Sequence, residues 1–105
     1  MAVQGVLNYT RNGTGNGVLY TGAGIVNCFL ATSGDHVSDD IIVLHDSTNP
    51  IASPNPILTV HVDSDYSVEF TRPVQDGIWF GTALSYVITG ADCAFQLTVH
   101  TIRTP

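Results

Sequence analysis

From residue 17 onward the chain alternates apolar and polar positions in short runs, each closed by turn residues. Ile57-Leu58-Thr59-Val60-His61-Val62-Asp63 puts Leu58, Val60 and Val62 on one face of a strand, with Thr59, His61 and Asp63 on the other. Tyr66 to Arg72 repeats the pattern. Tyr66, Val68 and Phe70 point inward, Ser67, Glu69 and Thr71 outward, and the two runs read as a hairpin across Asp63-Ser64-Asp65. Ile25 to Thr32 is a mostly apolar run between Gly22-Ala23-Gly24 and Ser33-Gly34-Asp35, which suits a buried strand. Val18 to Tyr20, Ile41 to Asp46, Ile78 to Phe80 and Leu84 to Thr89 read as further strands. In the last run, Cys93 to Ile102, Cys93, Phe95, Leu97 and Val99 share a face, and the Gly90-Ala91-Asp92 turn pairs it with Leu84–Thr89 as a second hairpin.

No window shows helical spacing of apolar residues with capping residues. Seven or eight strands at turn intervals of about eight to twelve residues predict an all-β domain, a single β-sandwich with Greek-key or jelly-roll-like wiring. Ser47 to Pro56, with prolines at 50, 54 and 56, is expected as an exposed loop. Residues 1–16 differ in character. Asn8 to Gly17 is rich in Gly and Asn, so 1–16 is expected as an extended N-terminal arm or long loop, with at most a short strand at Val3–Leu7. Such an arm suits docking on a neighbouring subunit. The sandwich domain is then 17–105.

The chain has 105 residues, enough for one domain, and 44% of them are hydrophobic, enough to fill one core. Only 11% are charged, so Thr, Ser, Asn and Gly must cover the surface, as suits a protein packed against other proteins. Nine acidic residues against three arginines (Arg11, Arg72, Arg103) and no lysine give a net charge of −6. That balance argues against nucleic-acid partners and anionic membrane surfaces, which are held by clustered cations. No apolar run is long enough to span a bilayer. Met1 to Gly5 has neither the basic start nor the apolar stretch of a signal peptide, so synthesis and use in a cytoplasm are expected, and the sequons at Asn8 and Asn12 carry little weight.

Candidate chemistry is sparse. Cys28 and Cys93 match no metal spacing, lie in apolar strand faces and are expected as buried free thiols, with a disulfide as the alternative. His36, His45, His61 and His100 include three with an acid nearby (Asp35, Asp46 and Asp63), yet a metal site needs three or four converging ligands, so they are expected as solvated residues. Asp35, Asp39 and Asp40 lack the spacing of a calcium loop and read as a solvated turn. There is no nucleophile elbow, and the Gly13–Gly17 run leads into a strand without a lysine, so it cannot cradle phosphate as a P-loop does. No catalytic residue, metal or cofactor is expected, and the protein reads as a non-enzyme. Trp79, between Ile78 and Phe80, points outward if its neighbours point in. An outward Trp marks a protein interface or a sugar-stacking platform.

The residues Val43-Leu44-His45-Asp46 before the Pro-rich loop, Tyr66-Ser67-Val68-Glu69-Phe70, and Gly77 to Gly90 followed by a last strand ending near Arg103 resemble small structural proteins of tailed bacteriophage particles. The resemblance covers about two thirds of the chain and implies a virion component, most specifically a capsid decoration or cement protein. It implies a homotrimer, a partner in the major capsid protein or another virion protein, and assembly in the host cytoplasm. Asn8, Tyr9, Arg11, Asn12 and Trp79 are the candidate interface residues. The alternatives are a phage fibre, collar or tail adhesin module, and a carbohydrate-binding β-sandwich.

Overall fold

The computed structural model describes residues 2–33, 40–62 and 67–103. Nine strands form two antiparallel sheets. In chain order they are β1 (Ala2–Asn12), β2 (Gly15–Thr21), β3 (Gly24–Ser33), β4 (Asp40–Asp46), β5 (Pro56–Val62), β6 (Ser67–Thr71), β7 (Ile78–Phe80), β8 (Ala83–Thr89) and β9 (Cys93–Arg103). One turn of 3-10 helix, Val74–Asp76, separates β6 from β7. The first sheet runs β1-β9-β3-β6, with β7 also on β3, and the second runs β2-β8-β4-β5. This is an all-β sandwich, and its strand order is that of a jelly roll.

Two expected hairpins are not hairpins. β5 pairs with β4 while β6 pairs with β3, and β8 pairs with β4 and β2 while β9 pairs with β3 and β1. The links between them cross from one sheet to the other. The alternation is the same either way, because both sheets turn their apolar faces to one shared core. Among the described strands, β4 and β5 are the consecutive pair that hydrogen-bond to each other, and they do so through the long Pro-rich loop.

The first sixteen residues also depart from expectation. The segment read as an arm or loop is β1, paired with β9 from Ala2↔Arg103 to Asn12↔Ala94, and then the start of β2. Gly13 and Thr14 turn the chain from one sheet to the other beside the β8–β9 turn. There the Gly13 N–H donates to the Cys93 carbonyl (2.9 Å) and the Gly90 N–H to Thr14 Oγ1 (3.3 Å). Local Gly/Asn content argued for irregular backbone, and pairing with β9 overrode it.

The core is aromatic at its centre. Phe29 stacks on Phe70 and on Phe95, each at 5.9 Å between ring centroids, and Tyr86 meets Phe95 edge-on at 5.4 Å. Ile42, Leu44, Val60, Val62, Leu84 and Ile88 close over them from the second sheet, facing Val26, Leu97 and Val99 from the first. Of the predicted inward residues of β5 and β9, Val60, Val62, Cys93, Phe95, Leu97 and Val99 are buried and Leu58 is half-buried.

A bulge between Val26 and Cys28 resets the alternation in β3. Phe29 and Ala31 therefore face the core, while Cys28 is half-exposed on the outer side. The expectation of two buried thiols holds for Cys93 only. Both cysteines are free, and they lie on opposite faces of the first sheet, so they do not pair. Burial, with the Asp40 charge adding to it, raises the Cys93 thiol pKa to about 11.

Candidate functional site

The residues singled out from sequence fall into three places. His36, Asp35, Asp39 and Asp63 lie outside the described residues. His45 is not solvated: only 6% of it is exposed, and its Nδ1 accepts the Asn55 N–H at 3.1 Å. Burial lowers its pKa, which keeps the accepting nitrogen unprotonated. It anchors the Pro-rich loop, which is tied further by Ser47 Oγ accepting the Asn49 N–H and by Asn49 Oδ1 accepting the N–H groups of Ile51 and Ala52. His61 is exposed on the outer side of the second sheet and His100 is half-buried on the outer side of the first, so these three histidines do not converge. Asp40 is not in a solvated turn either. It is 1% exposed, and its Oδ2 accepts the Ser33 hydroxyl at 2.5 Å.

Asp46, which the sequence shows only as an acid beside His45, is a structural clamp. Its Oδ2 accepts the Gly81 N–H at 2.9 Å, and its Oδ1 accepts those of Thr82 (2.9 Å) and Ala83 (3.2 Å). It thereby fixes the corner between β7 and β8. Partial burial alone would raise its pKa, but the three N–H groups outweigh burial and hold the carboxyl below its ordinary value. A depressed carboxyl stabilises the fold above the unfolded-state pKa of about 4, and that contribution is lost as pH falls through the folded-state value. Asp46→Asn puts an amide N–H₂ where one carboxylate oxygen accepts, so a loss of about 2 kcal/mol is expected at neutral pH. In urea titrations the gap between variant and wild type should be widest above about pH 5 and shrink towards about pH 2. A gap independent of pH would contradict the clamp.

The chain's most distinctive surface is the outer face of the first sheet. Strand register arranges it in rows. Val6, His100, Ile25 and Trp79 form one row across β1, β9, β3 and β7. The next is Asn8, Thr98, Cys28 and Thr71, followed by Thr10, Gln96, Leu30 and Glu69. The last is Asn12, Ala94, Thr32 and Ser67. The first row is apolar but for His100. Val6 (55% exposed) and Trp79 (44%) stand at its ends, about 14 Å apart at the usual strand spacing. Ile25 between them is buried because Gly77 lies against it: a Cβ at Gly77 would sit 2.5 Å from Ile25 Cγ2 and 2.6 Å from the Val26 carbonyl oxygen. Asn27 pins that covering segment, exchanging backbone and side-chain hydrogen bonds with Arg72.

The middle rows are mostly polar, with Leu30 as an apolar member and Glu69 as their one charge, and several of the polar groups pair with one another. Thr98 Oγ1 donates to Asn8 Oδ1 at 2.8 Å, and Cys28 Sγ lies 3.6 Å from Thr71 Oγ1. Between β1, β9 and β3 they enclose a shallow trough of about 260 Å3, just under the usual size of an enclosed small-molecule pocket. Its shape suits surface contact.

The structure therefore places four of the candidate interface residues on β1. Asn8 and Asn12 face outward on this sheet. Tyr9 and Arg11 belong to the alternate, inter-sheet positions, with the Arg11 guanidinium 5.9 Å above the Tyr9 ring. Burial, then the neighbouring Tyr20, raises the Tyr9 pKa. Trp79 shares the outer face with Asn8 and Asn12 but sits on the opposite edge. Sequence reading missed Val6, Ile25 and His100 as Trp79's neighbours, because rows across a sheet are set by register between distant strands. Among the described residues, no cluster of three or more His, Cys, Asp or Glu is placed to hold a metal ion.

No protein-family model matches this chain, and no curated protein is similar to it.

Proposed function

We propose that this chain is a non-enzymatic structural protein that works through protein–protein contact, and specifically a capsid decoration or cement protein bracing a virus shell. The observation that carries the reading is the row Val6–His100–Ile25–Trp79, which presents a half-exposed Trp on a nearly uncharged sheet face. Exposed aromatics beside apolar side chains are what buried protein contacts use as anchors. The bland, charge-poor exterior supports the same reading, since a surface made to be covered does not need to stay solvated. Jelly rolls serve viral capsids and lectins alike, so the fold is compatible with the proposal without choosing it. The partner is the major capsid protein or another virion protein, met in the host cytoplasm during assembly.

Trp79→Ala tests the contact. The side chain sits on a three-residue edge strand, so the variant should keep the wild-type circular dichroism spectrum and unfolding midpoint within a few degrees. Loss of an anchor of this kind is worth about 2 kcal/mol or more, so apparent affinity for capsid shells in co-sedimentation should fall about 30-fold. A folded variant that co-sediments as well as wild type removes the sheet face from the contact.

A second reading rests on the trough. Asn8, Thr10, Gln96 and Thr98 are neutral hydrogen-bonding groups on a face that also holds Trp79, as a glycan site on a phage adhesin or carbohydrate-binding module requires. Glycan-array binding by the isolated chain, with no attachment to shells, would favour it.

A further inference from the structure

The sandwich has two side walls, and they are built differently. One consists of β5 with β6 and β7, the other of β1 and β2, each strand being the last in its sheet. An unpaired strand edge is a template for another strand, and proteins blunt it with short strands, prolines and charges. The β5/β6/β7 wall has all three. β6 and β7 have five and three residues, Pro56 opens β5, Pro73 follows β6, and Glu69 stands on β6 with Asp76 just beyond it.

The β1/β2 wall has no proline and a single charge, Arg11, and its strands β1 and β2 have 11 and 7 residues. All nine acidic residues of the chain lie at position 35 or later. Of the five large apolar side chains exposed among the described residues, Val6, Leu7 and Val18 are on these two strands. Among the described residues, no strand pairs with the far side of β1 or of β2.

We propose that this wall binds a second copy of the chain, whose β1 adds antiparallel to β1 about a two-fold axis and continues the first sheet from one protomer into the next. The open edge calls for a strand as its occupant. Two copies of a chain carrying −6 repel each other least where neither presents an acid, and that is this wall. Pairing with the other wall of a neighbour, which would build a ring, is blocked there by short strands, proline and charge. A two-fold contact of like edges remains, so the assembly is a dimer rather than the trimer that the phage resemblance implies. The bulge between Val3 and Gly5 limits regular pairing to the stretch from Gly5 to Asn12, a wall about 25 Å long. With the sheets about 10 Å apart, roughly 250 Å² of each protomer is covered, below the size of stable interfaces, so the dimer dissociates on dilution. The proposal stands on the edge chemistry and does not depend on the shell contact.

Sedimentation velocity across protein concentration tests it, using wild type, Val6→Asp, Val18→Asp and Ile51→Asp. All three substituted positions are already solvent-accessible, Ile51 lies in the Pro-rich loop, and circular dichroism checks folding. Wild type should approach twice the 11.2 kDa chain mass at high concentration. Val6→Asp and Val18→Asp should each weaken self-association at least tenfold, and Ile51→Asp should not. Amide exchange along β1 should slow as wild-type concentration rises. A single-chain mass up to millimolar concentration, a threefold mass, or a dimer indifferent to both β1/β2 substitutions overturns the proposal.

Discussion

Phe29→Ala is expected to destabilise the fold by about 4 kcal/mol, the largest effect of any single truncation considered. Phe29 is 1% exposed at the centre of β3 and stacks on both Phe70 and Phe95. Its removal forfeits two ring contacts besides the buried area, and the two outer rings are held on different strands, β6 and β9, which cannot collapse together without shifting β3 between them. Against a total of about 5–15 kcal/mol for a domain, that is a large share. For a chain near 100 residues it corresponds to a fall of about 15–25 °C in the unfolding midpoint. Differential scanning calorimetry reads it directly, and a fall under about 5 °C would mean that the stack is not the core's centre.

Gly90→Ala is expected to cost about 3 kcal/mol, although it adds one methyl group at a turn. Gly90 has φ of +135°, a conformation that side chains rarely adopt, which alone costs roughly 1–3 kcal/mol. The new Cβ would also overlap Asp40 Oδ1 and force the buried carboxylate off the Ser33 hydroxyl. Gly15→Ala is the matched control. Nothing lies within 4 Å of its Cβ and its φ is not positive, so a change within about 1 kcal/mol is expected. Equal unfolding midpoints for the two variants would show that the Gly90 corner can relax and that the Asp40 carboxylate is not confined.

These two sites differ in how visible they are in the sequence. Phe29 stands in an apolar run bounded by turn residues, and such a run announces a buried strand. The bulge at Asn27 decided that Phe29 and not Cys28 would face the core, and no residue type marks it. Gly90 begins a turn that is plain in the sequence, but its need for glycine comes from Asp40, fifty residues away. Asp46 is similar: its three donors lie 35 to 37 residues on, so the sequence shows only an acid after a histidine.

The candidate site divides in the same manner. Trp79 was legible as an outward residue because Ile78 and Phe80 bracket it, and Asn8, Tyr9, Arg11 and Asn12 were legible as an unusual segment. That the segment is an edge strand, and that Val6 and Trp79 end one row, required β9 and β3 to lie between them.

By itself, then, the sequence determined the all-β class, the strands from 17 onward within a few residues, and most inward and outward positions. Those follow from a period of two, which each strand carries in its own residues. Tertiary structure decided which sheet each strand joins, that residues 2–12 pair at all, and that Asp40, His45 and Asp46 are structural. Those outcomes rest on hydrogen bonds and packing between residues far apart in the chain, where a local pattern holds no information about the partner.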